Sequence, residues 1–264
     1  MIDTEEMPNY RITLAYDGTD YVGWQRQANG VSIQGLLEDA LRALDERDVT
    51  VHGAGRTDAG VHALGQVAAF TLHRVLPGET LVRALNARLP DAIRVRSAEE
   101  APPDFHPRLA RAKTYRYRIW NADVMNPLER RFAWHVSGAL DVDAMRAAAA
   151  LVAGRHDFAA FQSAGSDVAT TIREIFVSRI AECGVRNGEE SALLCYEVAG
   201  EGFLRHMVRA IVGTLVEVGR GRQSADWIGR VLASRDRAAA GPTAPPEGLV
   251  LVGVTYGNSL AANP

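Results

Sequence analysis

Strand-like and helix-like stretches follow one another in an order that occurs twice along this chain, and the repetition restricts the fold more than any single motif does. "YRITLAY" (10–16) alternates as a strand, and Ile33, Leu36, Leu37, Ala40, Leu41 and Leu44 recur at the spacing of an amphipathic helix. A short strand near residues 50–52 leads into the glycine-rich segment "GAGRTDAGVHALGQ" (53–66), read as a loop, after which "QVAAFTL" (66–72) resumes as strand. "ETLVRALNARL" (79–89) predicts a helix ending at Pro90, and "AIRVRSAEE" (92–100) closes the first series. Beyond the proline-containing "APPDFHP" (101–107) the order returns. "TYRYRIW" (114–120) is a strand, residues 141–153 a helix capped by Asp141 and closed by Gly154, and "IREIFVSRI" with "SALLCYEV" a hairpin around "VRNGEE". A helix over 204–218, a shorter one over "ADWIGRVLAS" and the strand "LVLVGVTY" (249–256) complete it.

Two copies of a split β-α-β unit imply an α+β protein of two ferredoxin-like β-α-β-β-α-β halves, with mainly antiparallel sheets and helices on one face. The halves divide at residues 1–107 and 108–264, and a cleft between them is the natural place for a ligand. The 264 residues are enough for a sizeable core in one large domain or two fused ones, and 47% hydrophobic with 23% charged residues is globular composition. "AMRAAAALVAG" is too short an apolar run to cross a bilayer, and "MIDTEEMPNY" lacks the apolar stretch of a signal peptide, which places the protein in the cytoplasm. Cys183 and Cys195 flank the predicted turn. Neither they nor the histidines have zinc-ligand spacing, and they read as small, buried or half-buried residues in a reducing compartment. "AAAGPTAPPEG" (238–248) reads as a packed surface loop.

The net charge of −3 argues weakly against a nucleic-acid partner, but its distribution matters more than its sum. "FHPRLARAKTYRYRIW" (105–120) carries Arg108, Arg111, Lys113, Arg116 and Arg118 with no acid, and Arg205, His206 and Arg209 form a second basic cluster.

Three constellations carry candidate chemistry. A hairpin connection needs only two to five residues, so the length of the 53–66 segment calls for a purpose. It holds Arg56 and Asp58 among glycines that admit positive φ and close approach of a ligand. Asp58 in an Asx-turn, with Arg56 as a solvated charge, is the structural alternative. In "KTYRYRIW", alternation puts Tyr115, Tyr117 and Ile119 on one face and Arg116, Arg118 and Trp120 on the other. Aromatic residues in strands usually only pack, whereas rings interleaved with cations also fit single-stranded RNA. In "GFLRHMVRAIVGTLVEVG", Arg205 and Arg209 share a row with Val212 and Val216, and an arginine beside so apolar an interior needs an anion.

"GRTDAGVHALGQV", "KTYRYRI", "GFLRHMVR", "AGPTAPPEGLVL" and "YDGTDYVGWQRQ" together resemble, in order and over nearly the whole chain, the motifs of the TruA-type tRNA pseudouridine synthases. The resemblance implies an enzyme that isomerises uridine to pseudouridine at positions 38, 39 and 40 of the tRNA anticodon stem-loop. It implies no metal or organic cofactor, and a homodimer that binds tRNA across a basic surface. Asp58 matches the catalytic aspartate, as nucleophile or base. Tyr115 matches the residue stacking on the target base. Arg56 is similar to the arginine holding the flipped nucleotide, and Arg209 to the basic residue ion-paired with the aspartate. On the same grounds Trp24, Gln25, Arg26, His62 and Arg205 are expected among the substrate-binding residues of an RNA cleft, with a polar loop holding one buried tryptophan as the structural alternative for "YVGWQRQ". Two rivals use the same residues differently. An RNA-binding protein without activity would not need Asp58, and a hydrolase would join it to His52 or His62.

Overall fold

The computed structural model describes residues 7–163, 165, 168–183 and 192–257; the expected turn "VRNGEE" (185–190) and the first six residues lie outside them. The chain divides into two compact units, Met1–Ala110 with Leu251–Pro264, and Arg111–Val250, and it returns from the second to the first within its last strand.

In the first unit the elements run β1 (Asn9–Tyr16), α1 (Ile33–Asp45), β2 (His52–Gly53), β3 (His62–Thr71), α2 (Gly78–Asn86) and β4 (Ile93–Ala101). Strand β1 lies between β4 and β3, and β2 pairs with the far side of β3, every pairing antiparallel. Alternation in β1 buries Tyr10, Ile12, Leu14 and Tyr16. Ser32 caps α1 by accepting the Gly35 N–H at 3.2 Å, and Ile33, Leu37, Ala40 and Leu41 form its buried face. The expected loop is shorter than its sequence implies. Its last five residues, from His62, belong to β3, because β1 requires a partner as far as Tyr16, which faces Ala63. The register shifts between Leu14 and Tyr16, a bulge where β1 and β3 reach the remaining loop.

The second unit contains β5 (Ala112–Asn121), β6 (Trp134–Val136), α3 (Val142–Ala150), β7 (Gly154–Asp157), β8 (Ile172–Glu182), β9 (Leu193–Gly200), α4 (Met207–Gly219), α5 (Trp227–Ser234) and the start of β10 (Leu249–Thr255). Strands β5, β9, β8 and β7 lie side by side and antiparallel, with β6 parallel to β5. Strands β6 and β7, of three and four residues, are additions to the repeated order. Asp141 caps α3 through the Ala144 N–H at 2.9 Å. Tyr117 and Tyr196 face each other across β5 and β9, both buried. Each phenol has an outlet, Tyr117 to the Pro245 carbonyl at 2.8 Å and Tyr196 to Ser178 Oγ at 2.9 Å, and burial pushes both well above the ordinary tyrosine range.

Helix α4 is apolar nearly all round and correspondingly buried. The segment expected as a packed loop lies on it. A Cβ at Gly213 would come within 1.7 Å of the Pro242 carbonyl oxygen, so only glycine fits there. The Gly241 N–H donates to Thr214 Oγ1 at 2.9 Å. The two cysteines are not separate thiols: Cys183 and Cys195 form a disulfide across the β8–β9 hairpin, whose ladder brings their Cα atoms to 5.8 Å.

Candidate active site

In the first unit the loop between β2 and β3 is fixed from beneath by buried polar contacts. The Asp58 carbonyl accepts the Val61 N–H at 3.1 Å, and Gly60 at φ 78° supplies the left-handed third position of this turn. Asp58 is thus the first residue of a main-chain turn. Next to it, the Tyr16 hydroxyl meets Thr57 Oγ1 at 2.8 Å, and the fully buried Gln66 donates to the Gly55 carbonyl at 2.9 Å and to Tyr16 Oη at 3.4 Å. Burial pushes the Tyr16 phenol up to about 12, against the smaller lowering by its bonds to Thr57 and Gln66, so it stays a neutral hydroxyl at physiological pH.

Two further segments hold the loop. Trp24 N–H donates to the Thr57 carbonyl at 3.0 Å, and a Cβ at Gly23 (φ 104°) would lie 2.6 Å from that same oxygen. On the other side the Gly18 N–H donates to His62 Nδ1 at 3.0 Å, with Asp17 Oδ1 at 3.2 Å from the same nitrogen. A Cβ at Gly18 would sit 2.0 Å from the Val61 carbonyl oxygen, so "YDGT" and "GVH" meet backbone to backbone.

The residues predicted from "YVGWQRQ" take different positions. Trp24 is 2% exposed, its indole filling the space that a side chain at Gly53 would need. Arg26 is exposed but paired with Glu38 at 2.9 Å and Asp39 at 3.1 Å. Gln25 is half-buried and accepts from Arg56 Nε at 3.1 Å, which brings it together with the Arg56–Asp58 loop. His62 is buried, 5% exposed, in the turn contact just described.

In the second unit Tyr115 is buried on β5, edge-on to Phe203 with ring centroids 5.1 Å apart. Arg209, on the first turn and a half of α4, donates through Nε to the Ala244 carbonyl at 2.7 Å, and its own carbonyl accepts the Ala244 N–H. Arg205 is exposed two residues before α4. His206 precedes that helix in the left-handed region at φ 60°, its Nδ1 2.7 Å from Ser163 Oγ. Glu197 of β9 binds Arg116 of β5 at 3.1 Å and Arg179 of β8 at 2.7 Å; burial raises its carboxyl pKa, but the two guanidinium groups outweigh that and leave it lowered.

Tyr16, Thr57, Gln66 and Gln34 are absent from the sequence-based set. The signal for the first and third was present: a hydroxyl and an amide on strand faces that are otherwise apolar must find partners. Among the described residues, no cluster of three or more His, Cys, Asp or Glu has the arrangement of a metal site, and no helix is long and apolar enough to cross a membrane.

Comparison with known proteins agrees with the motifs. Residues 12–109 and 148–257 match the tRNA pseudouridine synthase family. The chain is 50% identical over 251 residues to tRNA pseudouridine synthase A of Myxococcus xanthus, covering 95% of this chain and 92% of that one. It is 48% identical to the protein of that name from Geotalea uraniireducens, over 95% and 100% of the two chains, and 45% identical to the one from Acetivibrio thermocellus, over 95% and 100%. A family match spread over both units, and relatives aligned along almost their whole length, mean that this chain belongs to the TruA-type tRNA pseudouridine synthase family.

Proposed function

We propose that this chain isomerises uridine to pseudouridine in tRNA, at positions 38, 39 and 40 of the anticodon stem-loop, with Asp58 as the reacting acid. The observation that carries the reading is the seating of the Asp58 turn. Tyr16 and Gln66 brace its approach, Trp24 holds the Thr57 carbonyl, and Gly18 with His62 secures its exit. A carboxylate that must meet one carbon of a ribose gains rate from such fixed placement.

The reaction breaks the bond from uracil N1 to C1′, turns the base and joins C5 to C1′; the C5 proton is then lost and N1 gains one, so the product is an isomer of the substrate. Asp58 either attacks C1′, as carboxylates do in glycosidases, or removes the 2′ proton. The uridine must first leave its stack, at a cost of a few kcal/mol, and an aromatic face returns about 1–3 kcal/mol. Tyr115 provides that face, with Phe203 against its edge setting the plane of the ring. Arg56 holds the everted nucleotide, and Arg209 and Arg205 supply positive charge from the second unit. Trp24 and His62 act from beneath, and Arg26 from the surface through Glu38 and Asp39, as supports of the residues that touch RNA. We assign the acid to the half built on residues 1–107 and the ring and the arginine helix to the half that begins at 108, which lasts to the end of the sequence apart from the final segment, Leu251–Pro264, that joins the first unit. The protein works in the cytoplasm as a homodimer.

Asp58→Asn tests this. Incubated with unmodified tRNA, it should bind as the parent does and yield no pseudouridine by chemical mapping of the anticodon arm. Product from this variant would remove Asp58 from the chemistry, and modification elsewhere in the tRNA would refute the assigned positions.

A further inference from the structure

Gln25 is the one side chain that Arg56 hydrogen-bonds among the described residues, through Nε at 3.1 Å. Behind Gln25 lies a chain of bonds whose polarity leaves no choice. Gln34 accepts the Arg26 main-chain N–H at 2.9 Å, and a main-chain N–H can only donate, so the oxygen of the Gln34 amide faces that way. Its nitrogen donates to the Val51 carbonyl at 2.9 Å, which can only accept, and to Glu38 Oε1 at 3.1 Å. Glu38 is itself held by the Val51 N–H and by Arg26. Gln34, at 8% exposure, has thus used both of its N–H groups and both lone pairs of its oxygen, the last by accepting from Gln25 Nε2 at 2.7 Å. Gln25 has to turn its amino group toward Gln34. Its carbonyl oxygen is thereby left pointing at the loop, where it is an acceptor matched to a cation.

We propose that Gln25 is a positioning residue. Anchored on α1 through Gln34, it fixes the Arg56 guanidinium by its Nε, so that the two terminal amino groups meet the phosphate of the everted nucleotide in one orientation. Those amino groups make no hydrogen bond among the described residues, and a guanidinium held at Nε still offers the planar fork that phosphate accepts. The inference rests on the reading in which Arg56 holds the flipped nucleotide.

A double-mutant cycle on the full-length protein with unmodified tRNA tests it. Gln25→Met keeps the side-chain length and loses both bonds. It should lower single-turnover rate at saturating tRNA about tenfold, the low end for a charge-assisted hydrogen bond, with thermal stability close to that of the parent. In an Arg56→Ala background the same change should cost less than about twofold, because the group it orients is gone. Gln25→Ala runs the same cycle should the methionine variant fold poorly. Losses that multiply independently in the double variant would overturn the positioning role while leaving the enzyme assignment intact. A parent protein that makes no pseudouridine in tRNA would overturn that assignment and the proposal together.

Discussion

The connection between β2 and β3 and the hairpin of β8 and β9 stand at corresponding places in the repeated element order, yet they are held by different means. In the hairpin, main-chain pairs run from Ser178 opposite Val198 to Glu182 opposite Leu194, and a disulfide ties the arms. Around the β2–β3 loop the ladder shrinks to His52 opposite Ala69 and Gly53 opposite Ala68, and a few isolated main-chain bonds join side-chain atoms of Tyr16, Thr57, Gln66 and His62 in holding it. A ladder uses groups that every residue owns. A loop held by side chains depends on a few particular atoms, and its geometry is correspondingly specific and easily lost.

That contrast can be broken most severely at Gly18. Gly18→Ala pushes a methyl group into the Val61 carbonyl, and the displaced turn should lower turnover about a hundredfold, in line with the cost of a misplacement near 1 Å; single-turnover kinetics would show it. Tyr16→Phe removes one hydroxyl and leaves the ring. About 1 kcal/mol of stability should go, with a fall of a few degrees in Tm and a loss of turnover of roughly tenfold. On the other side of the comparison, Glu197→Gln should leave turnover within about twofold and change stability in a pH-dependent way. The Glu197 pKa is lowered in the folded protein, so its stabilisation is complete above the unfolded carboxylate pKa and is lost as pH falls through the folded one. The parent should therefore melt above the variant at neutral pH, and the difference should vanish in strong acid. Least of all should Cys183→Ser with Cys195→Ser matter for catalysis. Thermal melts should shift down by several degrees while product formation holds, since the ladder alone keeps the hairpin aligned.

The sequence made the ladders legible and hid most of the side-chain scaffold. Alternation placed Tyr115, Tyr117 and Ile119 on the buried face of β5, and the apolar spacing of α1 described its packing. These are local patterns. The bond from Tyr16 to Thr57 joins residues 41 apart, and nothing in the neighbourhood of either announces the other. Strands β6 and β7 are too short to show a period. Trp24 shared a polar loop with Gln25 and Arg26, and only the close approach of Gly53 reveals that the indole is packed inside. The cysteine pair was legible as flanking a turn, but whether the two strands were in register to join them depended on the pairing of β8 with β9.

The seating of Gly213 against Pro242 has a consequence for Arg209, one turn earlier on α4. A helix advances about 100° per residue, and with the glycine pinned by a neighbouring carbonyl the screw cannot slip. Deleting any one residue from 210–212 would swing the guanidinium about a quarter of the way round the axis, whatever became of the helix itself.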